Sequence, residues 1–327
     1  MKTTRPAKAA LWLAIVGALA GIARGQAAPV KVDGDIPSYK TVSGISGNLS
    51  SVGSDTMNNL MALWGETFKK FYPNVNIQIE GKGSGTAIPA LIAGAAQIGP
   101  MSRPPKDTEA DLFEKKFGYK PLVIRTSVDA LAIFLNKDNP LKSLSLAQAD
   151  AIFSKSRRRN NPEITTWGQL GLTGEWAEKP ISIYGRNSAS GTYGFFKEHT
   201  LKNGDFKDEV KEQPGSAAVV QAVGQDKFAI GYSGIGYATS GVRAVPLVES
   251  TGGEAVEANA ENAYSGAYPL ARFLYVAVNK PPSKSMDPLT HEFLKLILSK
   301  EGQESVVKDG YFPIPAPLVK EDLKRVE

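Results

Sequence analysis

The chain has 327 residues, 42% of them hydrophobic and 22% charged, enough for two compact units that each bury a core. It holds no cysteine and two histidines, His199 and His291. That excludes thiol nucleophiles, disulfides, zinc ribbons and iron–sulfur clusters, and leaves His-based catalysis little material. Of the net charge of +5, Lys2, Arg5, Lys8 and Arg24 fall in the first 27 residues with no acid among them. The remainder carries 34 bases against 33 acids, a balance that argues against a nucleic-acid or anionic-membrane partner.

Lys2, Arg5 and Lys8 precede an apolar run at residues 9–23, then small residues and Pro29. This is the three-part pattern of a secretory signal peptide over residues 1–27, cleaved after Gly25 or Ala27. The run is shorter than the ~20 residues a bilayer span needs. No Cys follows to carry a lipid anchor, and export of a cysteine-free chain points to a bacterial periplasm. Residues 28–46 read as an extended leader. A strand is predicted at 47–52, running into Gly53-Ser54-Asp55-Thr56. Leu60, Leu63, Trp64, Phe68 and Phe71 then recur at helical spacing up to Pro73. Next come a strand at 75–80, the loop 81–86, a helix at 87–94, a short strand at 97–99, a charged helix at 106–117 and strands at 122–126 and 129–136.

Further on, strands at 181–184 and 229–232 alternate with helices at 147–153, 192–199 and 216–223, and helices at 289–298 and 303–309 close the chain. Strand-then-helix alternation predicts α/β layers with largely parallel strands. Residues 130–137 and 272–280 share a pattern: an apolar strand ending in Asn-Lys, with prolines shortly after. The inference is a chain that leaves one unit near residue 132, builds a second, and returns near 271. The first lobe then comprises 47–132 and 271–327 and the second 133–270, although two sequential domains would be the simpler topology. The bases Lys155, Arg157, Arg158 and Arg159 precede Asn160-Asn161-Pro162 and read as a solvated surface loop.

Three turns share one design, in which a strand ends, hydroxyl-bearing residues follow, and a helix starts: Ser54-Asp55-Thr56, Ser84-Gly85-Thr86 and Ser190-Gly191-Thr192. Helix beginnings expose unpaired N–H groups and partial positive charge, and glycine lets backbone approach a ligand. Any one of them is an ordinary cap. The third differs because Arg186 stands at the preceding strand end, where a planar guanidinium can meet an oxyanion already held by backbone donors.

Arg-x-x-x-Ser-Gly-Thr, with the earlier Gly-Ser-x-Thr and Gly-x-Gly-Ser-Gly, resembles the periplasmic phosphate-binding proteins of phosphate ABC transporters. Gln97-Ile98-Gly99 leading to Ser102-Arg103, Phe228-Ala229-Ile230-Gly231-Tyr232 and Tyr268-Pro269-Leu270 are similar too. The resemblance implies an α/β, two-lobed class II binding-protein fold, each lobe a mostly parallel sheet flanked by helices and the two joined by hinge strands. It also implies phosphate in the cleft, held by Thr56, the Met57 N–H and Ser84 from one lobe and by Arg186, Ser190, the Gly191 N–H and Thr192 from the other. Arg103 is included with these ligands and marks a departure, because the family pattern has there an Asp that accepts the phosphate proton. Asp55 or Asp129 could take that role. The resemblance further implies a monomeric binder that delivers phosphate to a membrane permease, with no catalysis, metal or cofactor. A binder of sulfate or molybdate, or a secreted phosphate-sensing module, would share the same chemistry. A phosphatase or esterase would need a base beside Ser190 or Ser84, and neither histidine lies near a Gly-x-Ser-x-Gly elbow.

Overall fold

A computed structural model describes residues 30–250, 252–282 and 284–327; the expected signal peptide lies outside the described residues. The leader has no helix or strand from residue 30 to 46, yet it is not free: Ile36 and Tyr39 are buried. Tyr39 Oη donates to Glu292 Oε2 at 2.6 Å.

In chain order the elements are β1 (Gly47–Gly53), α1 (Asn58–Phe71), β2 (Val75–Gly81), α2 (Ala87–Ile92), β3 (Gly99–Met101), α3 (Asp107–Phe117) and β4 (Leu122–Asn136). There follow β5 (Leu144–Ser145), α4 (Leu146–Phe153), β6 (Ser182–Arg186), α5 (Gly191–His199), β7 (Lys211–Gln213), α6 (Ser216–Gln225), β8 (Ala229–Gly234), β9 (Val242–Ala244) and β10 (Leu247–Val248). The chain ends with α7 (Ala260–Ser265), β11 (Ala271–Val278), α8 (Pro288–Ile297), α9 (Lys300–Lys308), β12 (Phe312–Pro313) and α10 (Ala316–Val326). In α1, Leu60, Met61, Trp64 and Phe68 are fully buried, the apolar stripe expected of a 3.6-residue period. Trp64 Nε1 donates to Gly302 O, fixing α1 against α9.

Parallel pairs join β1 with β2, β5 with β10, and β6 with both β7 and β8. The antiparallel ladders among the described strands all include β4 or β11: β3 and β4 flank β11, and β8, β9 and β12 pair with β4. The sheets are therefore more mixed than strand–helix alternation alone predicts. The reason is that one long strand carries the chain out and another brings it back, and these two necessarily run in opposite directions.

The strands predicted at 122–126 and 129–136 are one continuous element, β4, because nothing in Ser127-Val128 breaks a strand. The ladder skips Thr126 of β4, since the consecutive Leu274 and Tyr275 of β11 pair with Ser127 and Arg125. Residues 122–130 of β4 pair with β11, whereas 131–135 pair with β8. The strand thus passes from one half of the molecule to the other, and from Val128 to Asn136 it is buried throughout. Helices α7 and α10 lay outside the sequence reading. The basic loop finds a structural use: Arg159 donates to the carbonyls of His199 and Thr200 at the end of α5, where a cation complements the helix dipole. No helix among the described residues is long and apolar enough to cross a membrane.

Candidate functional site

The three hydroxyl-bearing turns meet. Asp55–Met57 and Ser84–Thr86 each form a short 3-10 turn after a strand, and Ser190 caps α5 by accepting the Tyr193 N–H at 3.3 Å. Gly85 N donates to Ala189 O at 3.0 Å, joining the second turn to the third. Thr56 Oγ1 and Thr192 Oγ1 lie 2.8 Å apart across the same seam. Gly191 packs so closely that a Cβ there would overlap Ser84 Oγ and Ser102 Oγ; this close approach is what requires glycine in the Ser-Gly-Thr turn. Thr56, Ser84, Ser190 and Thr192 are all buried.

Arg186 leaves the end of β6 into this seam and is 2% exposed. Its Nη1 donates to Ser216 Oγ at 2.7 Å and lies 3.2 Å from Asp55 Oδ2. The same Asp55 oxygen accepts the Ser216 N–H at 2.7 Å. Asp55, in the first turn, therefore caps α6 of the opposite half while pairing with Arg186. Burial pushes the Arg186 guanidinium below its ordinary range, with the Asp55 charge acting against that shift. Tyr237 Oη donates to Asp55 O and Tyr311 Oη to Thr56 O, both at 2.9 Å. The first turn is thus held by tyrosines from both sides.

Met57 N–H is engaged with Ser54 O at 3.2 Å, and Ser84 Oγ accepts the Ser102 N–H at 3.0 Å. Arg103 lies beside the seam with its guanidinium paired to α3. It forms a two-pronged pair with Glu109, both bonds 2.7 Å, at the start of α3. Burial raises the Glu109 carboxyl, but Arg103 outweighs it and the group sits below its usual value. Arg103 lines a cavity of about 1000 Å³ shared with Ser190, Tyr193 and Arg272, at the mouth of the seam.

Asp129 is fully buried and faces Arg272, its register partner across β4 and β11. Arg272 Nε reaches Asp129 Oδ2 at 2.9 Å and Nη2 at 2.8 Å. Asp129 Oδ1 accepts the Ile235 N–H at 3.0 Å, and Arg272 Nη2 also donates to Thr192 Oγ1 at 2.9 Å. The segment that follows β8 therefore reaches Asp129 through the Ile235 N–H. Arg186 Nε and Arg272 Nη1 are buried, and among the described residues neither has a hydrogen-bond partner. Two buried guanidiniums with unsatisfied N–H groups beside a cluster of hydroxyls fit an anion. Sequence reasoning missed Arg272, Ser102 and Ser216. A signal for Arg272 was present: Asp129 and Arg272 are opposite charges in apolar strands that share a pattern. No cluster of three or more His, Asp or Glu side chains able to hold a metal occurs among the described residues.

A family model described as a PBP superfamily domain matches residues 39–301. The chain belongs to the PBP superfamily. It has the two-lobed class II fold of that group. A phosphate-binding protein PstS of Pseudomonas aeruginosa is 56% identical over 315 residues, covering 96% of this chain and 97% of its own. A phosphate-binding protein PstS of Staphylococcus haemolyticus is 30% identical, covering 86% and 85%. Among solved structures, a substrate-binding protein from Clostridium perfringens with bound phosphate superposes with a TM-score of 0.69. It shares 26% identity, over 82% of this chain and 100% of its own.

Proposed function

We propose that this protein binds inorganic phosphate in the cleft and delivers it to the membrane permease of a phosphate ABC importer. The observation that carries this reading is the convergence of three helix-starting turns on two buried arginines whose remaining N–H groups lack partners. The relatedness to PstS proteins names the anion. We assign Thr56, Met57 and Ser84 from lobe one and Arg186, Ser190, Gly191 and Thr192 from lobe two to phosphate, with Arg103 at the mouth. Lobe one is taken as 47–132 with 271–327 and lobe two as 133–270; the change of β4 partner between Ala130 and Leu131 supports that boundary. The protein works in the periplasm after cleavage of its signal peptide, as a monomer, without catalysis, cofactor or nucleic-acid partner.

Micromolar binding needs about 8 kcal/mol. Charge-assisted bonds at ~1.5–3 kcal/mol each supply it after ordering costs. Because the donors come from both lobes, the ligand favours the closed form over the open one. Sulfate differs from dibasic phosphate in having no proton to donate, so a carboxylate that accepts that proton repels sulfate. Of the two candidates, Asp129 has both oxygens engaged by Arg272 and the Ile235 N–H. Asp55 uses only Oδ2, which leaves Oδ1 for the phosphate proton. Calorimetry of the mature protein with phosphate, arsenate, sulfate and molybdate tests the reading. Phosphate and arsenate are expected to bind, and sulfate or molybdate displacing phosphate would overturn it.

A further inference from the structure

Thr192 is positioned by a residue that the three turns do not contain. A threonine hydroxyl has one proton and two lone pairs, and to hold an anion it must point its proton at the ligand. Arg272 Nη2 donates to Thr192 Oγ1 at 2.9 Å, so the hydroxyl proton cannot point towards β11. The proton is left for the other directions; Thr56 Oγ1 lies 2.8 Å away, and in that contact either hydroxyl can donate, so Thr192 is free to turn its proton to an anion while accepting from Thr56. The guanidinium charge also polarises the hydroxyl and makes it a better donor.

Arg272 is itself firmly placed. It is 5% exposed, and its fork spans Asp129 on one side and Thr192 on the other. Its guanidinium carbon stands 5.1 Å from the centre of the Phe195 ring, one helical turn after Thr192 on α5. Asp129 is anchored in turn by the Ile235 N–H of the second lobe. Asp129 lies on β4 just before that strand changes partner from β11 to β8, so the pair sits where the two halves join and reaches Thr192 from there.

We propose that Arg272, held by Asp129, is a positioning residue that fixes the Thr192 hydroxyl as a donor to the bound anion. This rests on the reading of the cleft as a phosphate site. A planar fork is needed because two acceptors in different directions are served by one group. A lysine keeps the charge but loses that geometry.

The test is a double-mutant cycle of Arg272→Lys with Thr192→Val, reading inorganic phosphate affinity by calorimetry and folding by thermal midpoint. Arg272→Lys is expected to weaken phosphate binding by about tenfold when Thr192 is present and by less than about twofold when Val replaces it. A purely structural Arg272 would lower the thermal midpoint and give equal affinity changes in both backgrounds. Equal losses, or no loss with Thr192 present, overturn the proposal. If Arg272→Lys does not fold, Asp129→Asn takes its place in the cycle with the same expectation. Arg186→Ala run in parallel separates the two readings. Its retaining normal affinity would remove the phosphate site itself, whereas its losing affinity while the cycle is additive removes only the role of Arg272.

Discussion

Two aspartate–arginine pairs flank the threonines of the cleft, one partly exposed and one buried, and they are built in different ways. Asp55 and Arg186 come from the turn after β1 and the end of β6, 131 residues apart, and meet at 3.2 Å. Asp129 and Arg272 are neighbours on adjacent strands and meet at 2.8 Å by register. The first pair joins segments that no strand ladder holds together, and Asp55 reinforces it by capping α6. The second is held by the ladder between β4 and β11. One pair thus depends on how distant turns pack, and the other on strand register.

Arg186→Ala strikes the first pair hardest, because it removes a charge aimed at the anion and orphans Asp55 together. Phosphate affinity is expected to fall between tenfold and about a hundredfold, the equivalent of ~1.5–3 kcal/mol for a charge-assisted bond. Calorimetry reads the loss, and circular dichroism is expected to show an unchanged fold. Unaltered affinity would place the anion away from Arg186.

Asp55→Asn gives a smaller effect. The amide oxygen can still accept the Ser216 N–H, but the counter-charge to Arg186 and the carboxylate acceptor are gone. Phosphate affinity is expected to drop by about threefold to tenfold, in keeping with ~1 kcal/mol for a partly exposed pair. Sulfate affinity is expected to rise, so the phosphate-to-sulfate ratio narrows. An unchanged ratio would move the proton acceptor to Asp129.

The smallest expected effect lies at the back of the seam. Asp309 caps the C-terminus of α9, close to Tyr237 and Tyr311, and burial raises its carboxyl from 3.8 to about 7. The folded state then holds this proton more tightly than the unfolded chain. The contribution is fully present below about pH 4 and is lost as pH rises through about 7. Asp309→Asn is expected to flatten that fall in thermal midpoint between pH 4 and 8. A parallel fall in both proteins would assign the slope to other groups.

The legible parts of the site are those written in contiguous residues. Ser190-Gly191-Thr192 after a strand announces a helix start, and Arg186 stands close enough in sequence to be read with it. Arg103 shows what sequence motifs leave out, namely the local partner that holds a predicted ligand. Glu109 folds back to accept the Lys106 N–H at 2.8 Å as it starts α3, and that places its carboxylate where Arg103 finds it first. The basic loop at 155–159 is similar, since Arg159, read from sequence as part of a solvated loop, serves the end of α5.

By itself the sequence determined where strands give way to helices, because apolar periodicity and capping residues act over a few positions. It also determined that hydroxyls and glycines gather at those junctions, and through them the kinship to phosphate-binding proteins. Tertiary structure decided which charges face one another. Asp129 and Arg272 are 143 residues apart, and Asp55 and Ser216 are 161 apart. Partners at such separations are chosen by strand register and tertiary packing, which depend on the whole chain rather than on the few positions over which periodicity and capping act.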